Sequence, residues 1–241
     1  MTRGCSRSWR HAEMAFCTPP RRPLRDVFPY LPGKSIASVQ RELGLKSVIK
    51  LASNENPLGP APRAMAAYRR AEKLNALYPE GTSPELRAAL ARFHKVEPER
   101  VIAGNGSDEL IRLLCEAFVE PDDEVVVSQH GFIRFKQQAA MMGARVIEVP
   151  MTDWTHDLTL MAQAASPRSK LLFIANPNNP TGTFSASEEI ARLHAGLPGH
   201  VLLVLDHAYA EYLEGEDDGG MALAQTASNV LVTRTFSKIY G

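Results

Sequence analysis

The chain has 241 residues, with 27 Lys and Arg against 27 Asp and Glu, so its formal net charge is zero; 44% of its residues are hydrophobic and 22% charged. A neutral chain carries no global field to recruit nucleic acid or an anionic membrane, and its apolar runs, such as Val201-Leu-Leu-Val-Leu205, are strand-sized rather than bilayer-spanning. Cys5, Cys17 and Cys115 are scattered and odd in number, which suits a reducing cytoplasm better than a disulfide framework, and none stands at paired metal-ligand spacing, so no metal site is expected.

Met1 to Pro23 is basic and rich in Arg and Ser, and it has no apolar segment of signal-peptide type. Residues 1–23 are expected to be a disordered extension. Residues 24–50 read as an N-terminal arm, with a turn at Pro29-Tyr-Leu-Pro-Gly33 and a short helix over Ile36–Gly44 that glycine ends. Ile49 opens a brief expected strand that runs into a polar, proline-stopped loop through Asn56 and Pro57. Ala61–Leu74 and Pro84–His94 carry apolar residues at helical spacing, and Leu77-Tyr-Pro-Glu-Gly81 between them reads as an exposed turn. Val101 begins another expected short strand, followed by a glycine-bracketed turn and a helix through Phe118.

Val125–Ser128 reads as a buried strand and Phe132–Met142 as a helix. Further strands are expected at Val146–Val149, Lys170–Ala175, Val201–Leu205 and Val230–Val232, with a helix over Ala186–His194. Strands alternating with helices indicate an α/β fold with a mainly parallel sheet sandwiched by helices. Ligands of such sheets bind beyond the carboxyl ends of the strands. The polar motifs fall there: Gly104-Asn-Gly106, Asn176-Pro-Asn-Asn-Pro-Thr-Gly182, Asp206 and Lys238 each follow an apolar run.

These residues permit a specific chemistry. The turn at Gly106-Ser107-Asp108 opens a helix, whose free N–H groups and dipole favour a phosphate, although Ser107 can equally be a simple cap. Asp206, directly after an apolar strand, is costly to bury unless it has a partner; a protonated pyridine nitrogen or an ordinary salt bridge would serve. Tyr209, three residues on, and Asn179 can hydrogen-bond an oxygen of the same ligand, or be a half-buried core residue and a turn former. Phe132 can stack on an aromatic ring or fill the core. Lys238, delivered by the last strand into a short polar segment, can condense with an aldehyde and then act as general base and acid. One ligand meets all of these demands: pyridoxal 5'-phosphate, the electron sink for a carbanion α to nitrogen.

The stretches Ala52-Ser-Asn-Glu-Asn-Pro-Leu-Gly-Pro60, Leu77-Tyr-Pro-Glu-Gly81, Gly104-Asn-Gly-Ser-Asp-Glu109, Asn176 to Gly182, Asp206-His-Ala-Tyr209 and Arg234-Thr-Phe-Ser-Lys238 carry a resemblance. Over residues 25 to 241 the chain resembles the fold-type I pyridoxal-phosphate-dependent aminotransferases, and within them the histidinol-phosphate aminotransferase branch. The resemblance implies that residues 51–241 are the cofactor-binding large domain and residues 24–50 an arm or small-domain segment. It implies Lys238 as the Schiff-base lysine, Asp206 as partner of the pyridine nitrogen, and Tyr209 and Asn179 as holders of the ring oxygen. Phe132 would stack on the ring, while Gly106, Ser107, Asp108 and Thr235 would bind the phosphate. Tyr78 would reach the cofactor of a neighbouring subunit, which implies a homodimer. Tyr30 and Asn56 would lie near the substrate.

The same resemblance implies transamination of histidinol phosphate with 2-oxoglutarate in histidine biosynthesis, in the cytoplasm. An aromatic amino-acid aminotransferase and a phosphothreonine-type decarboxylase share the scaffold. The family continues beyond the lysine with a further phosphate-binding arginine and a small domain that supplies substrate arginines. The resemblance therefore implies a chain cut short at its C-terminus, for which a non-catalytic remnant is the competing reading. Two other departures are His207 where the family commonly has glutamate, its side chain expected to point away from the ring, and the basic segment before Pro23.

Overall fold

A computed structural model of the chain describes residues 21–25, 27–30, 32–215 and 219–241. Residues 1–20 of the expected disordered extension lie outside the described residues; Arg22–Arg25 form a 3-10 turn, with Pro23 close to Gly143. Helix α1 (Ile36–Leu43) starts at Ser35, whose hydroxyl accepts from the Ser38 N–H at 3.1 Å, and ends at Gly44 in the left-handed region. Helices α2 (Pro62–Ala71) and α3 (Pro84–His94) each begin on proline, whose missing N–H would be unsatisfied in a first turn anyway. Helix α4 covers Gly106–Phe118.

Strand β1 (Glu124–Ser128), helix α5 (Ile133–Met142) and strand β2 (Arg145–Val149) form the first crossover. A hairpin of β3 (Met151–Thr152) and β4 (Thr155–His156) leads to α6 (Leu158–Ala164), β5 (Ser169–Ala175), α7 (Ser187–Gly196), β6 (Leu202–Asp206), α8 (Gly220–Thr226) and β7 (Val230–Thr233). The main sheet has the order β2-β1-β5-β6-β7, and every pairing in it is parallel. Among the described residues, antiparallel pairing is confined to the β3–β4 hairpin.

Both faces of the sheet are covered, so its central strands are continuously apolar rather than alternating. Val125, Val127, Leu171, Phe173 and Val204 point to one face, where they meet Ile111, Leu114 and Cys115 of α4 and Phe135 and Ala139 of α5. Their chain neighbours Val126, Leu172, Ile174, Leu203 and Leu205 point to the other, against Met161 of α6 and Ile190 and Leu193 of α7. The period of two splits one apolar run between two cores.

Two expected strands are absent. Ile49 and Leu51 lie in irregular chain and are 88% and 92% exposed, because no neighbouring strand offers them a ladder or a face to bury. Val101 is likewise outside any strand: its carbonyl accepts from Arg87 Nε at 2.8 Å, and its N–H donates to Pro98 O at 3.2 Å rather than to a strand. Its backbone is thus satisfied locally, by a side chain and a turn.

His207 follows β6 fully buried, on the side toward α8. A Cβ added to Gly220, at the start of α8, would lie 2.1 Å from His207 Cε1. Gly220→Ala is therefore expected to destabilise the fold by about 2 kcal/mol through overpacking. The check is a lower denaturant midpoint at unchanged slope; an unmoved midpoint would contradict the packing of this ring.

Candidate active site

The site is built on the sheet register. Ala175, Asp206 and Thr233 stand side by side at the carboxyl ends of β5, β6 and β7. Asp206 is 4% exposed, and Thr233 Oγ1 donates to its Oδ1 at 2.9 Å. Burial raises the Asp206 carboxyl above its ordinary range; the Thr233 hydrogen bond, the neighbouring His207 and Lys238 pull in the other direction without prevailing. A negative charge here therefore calls for a further cation.

After β7 the chain turns through Thr235, Ser237 and Lys238. Thr235 Oγ1 accepts from the Ser237 N–H at 3.1 Å and lies 2.8 Å from Ser237 Oγ. Glu211, in the 3-10 turn after β6, accepts from Arg234 Nη2 at 2.7 Å and from the Tyr240 hydroxyl at 3.1 Å, stapling the two turns together. Lys238 takes a left-handed φ of 63°, uncommon for a residue with a side chain, and its Nζ lies 5.4 Å from the centroid of the Tyr209 ring. The turn is thereby held with the amine over the phenol.

On the opposite flank α4 presents its N-terminus. Gly106 has φ 76°, a conformation glycine adopts freely, and its N–H bonds to Gly104 O at 2.9 Å. Glu109 reaches back to the Asn105 N–H at 2.7 Å, and this bond, foremost, lowers the Glu109 carboxyl below its usual range. Asn105 makes no side-chain cap, which leaves the N–H groups of Ser107 and Asp108 without that partner at residues that line the cavity. Asp108 is held by Arg134 of α5, whose Nη2 donates to its Oδ2 at 3.0 Å. Without that arginine a carboxylate would spoil an anion site at a helix N-terminus.

The loop after β5 is clamped at both ends. Asn176 Nδ2 donates to Ser185 O and its Oδ1 accepts from the Ser185 N–H, both at 2.9 Å. Asn178 Nδ2 donates to Thr181 Oγ1 at 2.8 Å and to His130 O at 3.2 Å. Asn179 sits on this rigid loop. Beneath it His156 joins two strand ends: Nε2–H donates to the Ala175 carbonyl at 2.9 Å, which leaves Nδ1 to accept from the Ser128 hydroxyl at 2.6 Å. Burial, foremost, lowers the His156 pKa and keeps the ring neutral in this role. Phe132 caps α5 and meets Phe135 edge-on at 5.6 Å, while Phe135 stacks on Phe173.

Gly106, Ser107, Asp108, Phe132, Asn179, Asp206, Tyr209, Thr235 and Lys238 line one cavity of about 260 Å³, together with Ala175, Ala208 and Ser237. Three other sequence candidates lie outside it. Tyr78 is fully exposed on its turn and Tyr30 is half exposed. Asn56 spends its amide elsewhere: Nδ2 donates to Ile239 O at 2.8 Å and Oδ1 accepts from the Leu58 N–H at 2.9 Å. Sequence reasoning missed Ser237 in the lysine turn, Arg134, the Thr233 bond to Asp206, and the His156 support. Ser237 stood inside a stretch already singled out and Thr233 directly before it; for Arg134 and His156 no sequence signal existed.

A family model described as "Aminotransferase class I and II" matches residues 46–241. Histidinol-phosphate aminotransferases of Symbiobacterium thermophilum and Moorella thermoacetica are 48% and 45% identical to the chain over 221 and 223 residues, 92% of it in each case. The crystal structure of histidinol-phosphate aminotransferase from Sinorhizobium meliloti in complex with pyridoxal-5'-phosphate superposes with a TM-score of 0.84 at 29% identity, covering 95% of the chain. The chain spans about three fifths of the length of these proteins: 61%, 58% and 61% respectively.

Proposed function

The chain belongs to the class I and II aminotransferase family, and from that premise we propose that its cavity holds pyridoxal 5'-phosphate and that the whole protein transaminates histidinol phosphate with 2-oxoglutarate, giving imidazole-acetol phosphate and glutamate. The observation that carries the reading is the convergence of Ser107, Asn179, Asp206, Tyr209, Thr235 and Lys238, from four separate segments, on one cavity.

The residues fit the group. Asp206 is buried at the floor with its charged form disfavoured, which a protonated pyridine nitrogen would relieve. The first turn of α4, with the hydroxyls of Ser107 and Thr235, suits a phosphate. Phe132 offers a ring face, and Tyr209 and Asn179 offer hydrogen bonds to a ring oxygen. Pyridoxal phosphate, when bound, supplies the electron sink for a carbanion α to nitrogen.

The chain's own side chains do the rest. With the group bound, Asp206 would hold a proton on its pyridine nitrogen, because pairing a buried carboxylate with a proton-bearing cation lowers the energy of both. Lys238 moves a proton at the substrate's α-carbon as base and then acid, from a turn fixed by Glu211.

Histidinol phosphate is the proposed donor because the curated relatives named above carry that activity in their names at 45–48% identity. Tyr78, fully exposed beside exposed Leu74 and Leu77, suits a contact with a second copy, so a homodimer is proposed. Residues 51–241 are proposed as the cofactor-binding domain and 24–50 as an arm; no described helix is long and apolar enough to cross a membrane, and a cytoplasmic setting is proposed.

The test is nitrogen transfer. The protein with pyridoxal phosphate, 2-oxoglutarate and ¹⁵N-amino-labelled histidinol phosphate is expected to yield ¹⁵N-glutamate by mass spectrometry, at least about tenfold faster than from labelled phenylalanine or tyrosine. Faster transfer from the aromatic amino acids would overturn the substrate; no transfer from any donor would overturn the activity.

A further inference from the structure

Resting on the reading above, we infer that Asn54 is a positioning residue that fixes Tyr209 as a hydrogen-bond donor toward the cavity. Asn54 Nδ2 donates to Tyr209 Oη at 2.9 Å, a contact between residues 155 apart in sequence. A phenol has one proton and two lone pairs. The amide occupies a lone pair, so the proton of Tyr209 is left for an acceptor in the cavity that this tyrosine lines, such as the ring oxygen of the cofactor.

The contact is built rather than incidental. Ser53 and Asn54 both have left-handed backbones, φ 72° and 51°, a conformation held only where the surroundings impose it. The imposing contacts are on the page: Asn56, two residues on, ties the same segment to Ile239 O, next to Lys238, and takes the Leu58 N–H. Gly59 and Pro60 lie so close to Gly241 that a Cβ there would be 2.4 Å from them. The segment thus straps the lysine turn from one side and reaches the phenol beneath the amine with the other. An acceptor in place of Asn54 would reverse the polarity, drawing the phenol proton away and turning a lone pair toward the cavity.

The test compares binding of pyridoxal 5'-phosphate with binding of 3-deoxypyridoxal 5'-phosphate, which lacks the ring hydroxyl. Asn54→Asp is nearly isosteric and can only accept. It is expected to weaken binding of pyridoxal phosphate about tenfold and that of the 3-deoxy compound less than about twofold, the scale of one hydrogen bond lost and reversed. Asn54→Leu, which removes the donor without reversing it, is expected to cost about threefold with the same selectivity for the hydroxyl. In a Tyr209→Phe background neither substitution should matter further. Equal losses for both ligands, or losses that persist without the phenol, would reduce Asn54 to a structural or charge role and overturn the proposal. Failure of the unaltered protein to bind pyridoxal phosphate at all would instead sink the cofactor reading, and this assignment with it.

Discussion

Lys238→Ala is expected to abolish covalent capture of pyridoxal phosphate while leaving the fold intact. Lys238 is the one amine among the described residues that line the cavity, so no other group there can form a Schiff base with an aldehyde. Its Nζ touches the Tyr209 ring at a distance typical of a partly exposed cation–π contact, a minor part of the fold's stability. The variant should therefore melt with the unaltered protein to within about 1 kcal/mol. After borohydride treatment the cofactor label on the protein should fall to background. Turnover should drop at least about 10⁴-fold, because in the proposed mechanism the same amine is both the attachment point and the proton carrier. A variant that still carried a borohydride-fixed label would show that another lysine does the work.

The second large effect belongs to Asp206. Replacing it with Asn keeps the shape and the Thr233 hydroxyl partner but removes the charge. Catalysis should fall about a thousandfold, since a buried charge aimed at the reacting electron system is worth that much. Stability of the cofactor-free protein should move the opposite way. The folded carboxyl titrates above the ordinary aspartate range, so its ionised form costs the folded state stability. That cost is absent below the unfolded-state pKa, grows as pH rises toward the raised folded value, and is complete above it. Asp206→Asn removes the cost. The variant should match the original at acidic pH and become the more stable of the two as pH rises through neutrality. Denaturation midpoints across pH read this directly. A variant that stayed less stable at pH 8, or one with near-normal turnover, would contradict the role assigned here.

How much of this was legible in the sequence follows from physics. The strands β1, β5 and β6 are apolar on both faces, so their runs stand out without any pattern. Ile49 and Val101 carry the same composition in miniature, yet strand formation needs a neighbour to pair with, and neither has one. The β3–β4 hairpin was invisible because two-residue strands show no alternation; its turn residues, Asp153 and Trp154, take left-handed φ that their identities do not announce. Helices α6 and α8, of seven residues each, are too short for a 3.6-residue period to emerge.

The site was more legible than the fold around it. Its residues follow strand ends in sequence, and a parallel register brings strand ends together, so the sequence alone points Asp206, Asn179 and Lys238 to one end of the sheet, where they line one cavity. What stayed hidden were the supports. Arg134 on Asp108 and Asn54 on Tyr209 depend on pairings 26 and 155 residues apart, which no local pattern encodes. Asn56, expected near substrate, has its amide committed to the lysine turn, which is a packing outcome.

The most direct test is the absorption spectrum of the purified protein titrated with pyridoxal phosphate and then given histidinol phosphate without any oxo acid. The account predicts a visible band from the bound aldehyde, saturating at one cofactor per chain and lost when histidinol phosphate converts it to the amine form. A spectrum indistinguishable from free pyridoxal phosphate, or a bound band that histidinol phosphate leaves untouched, would contradict it.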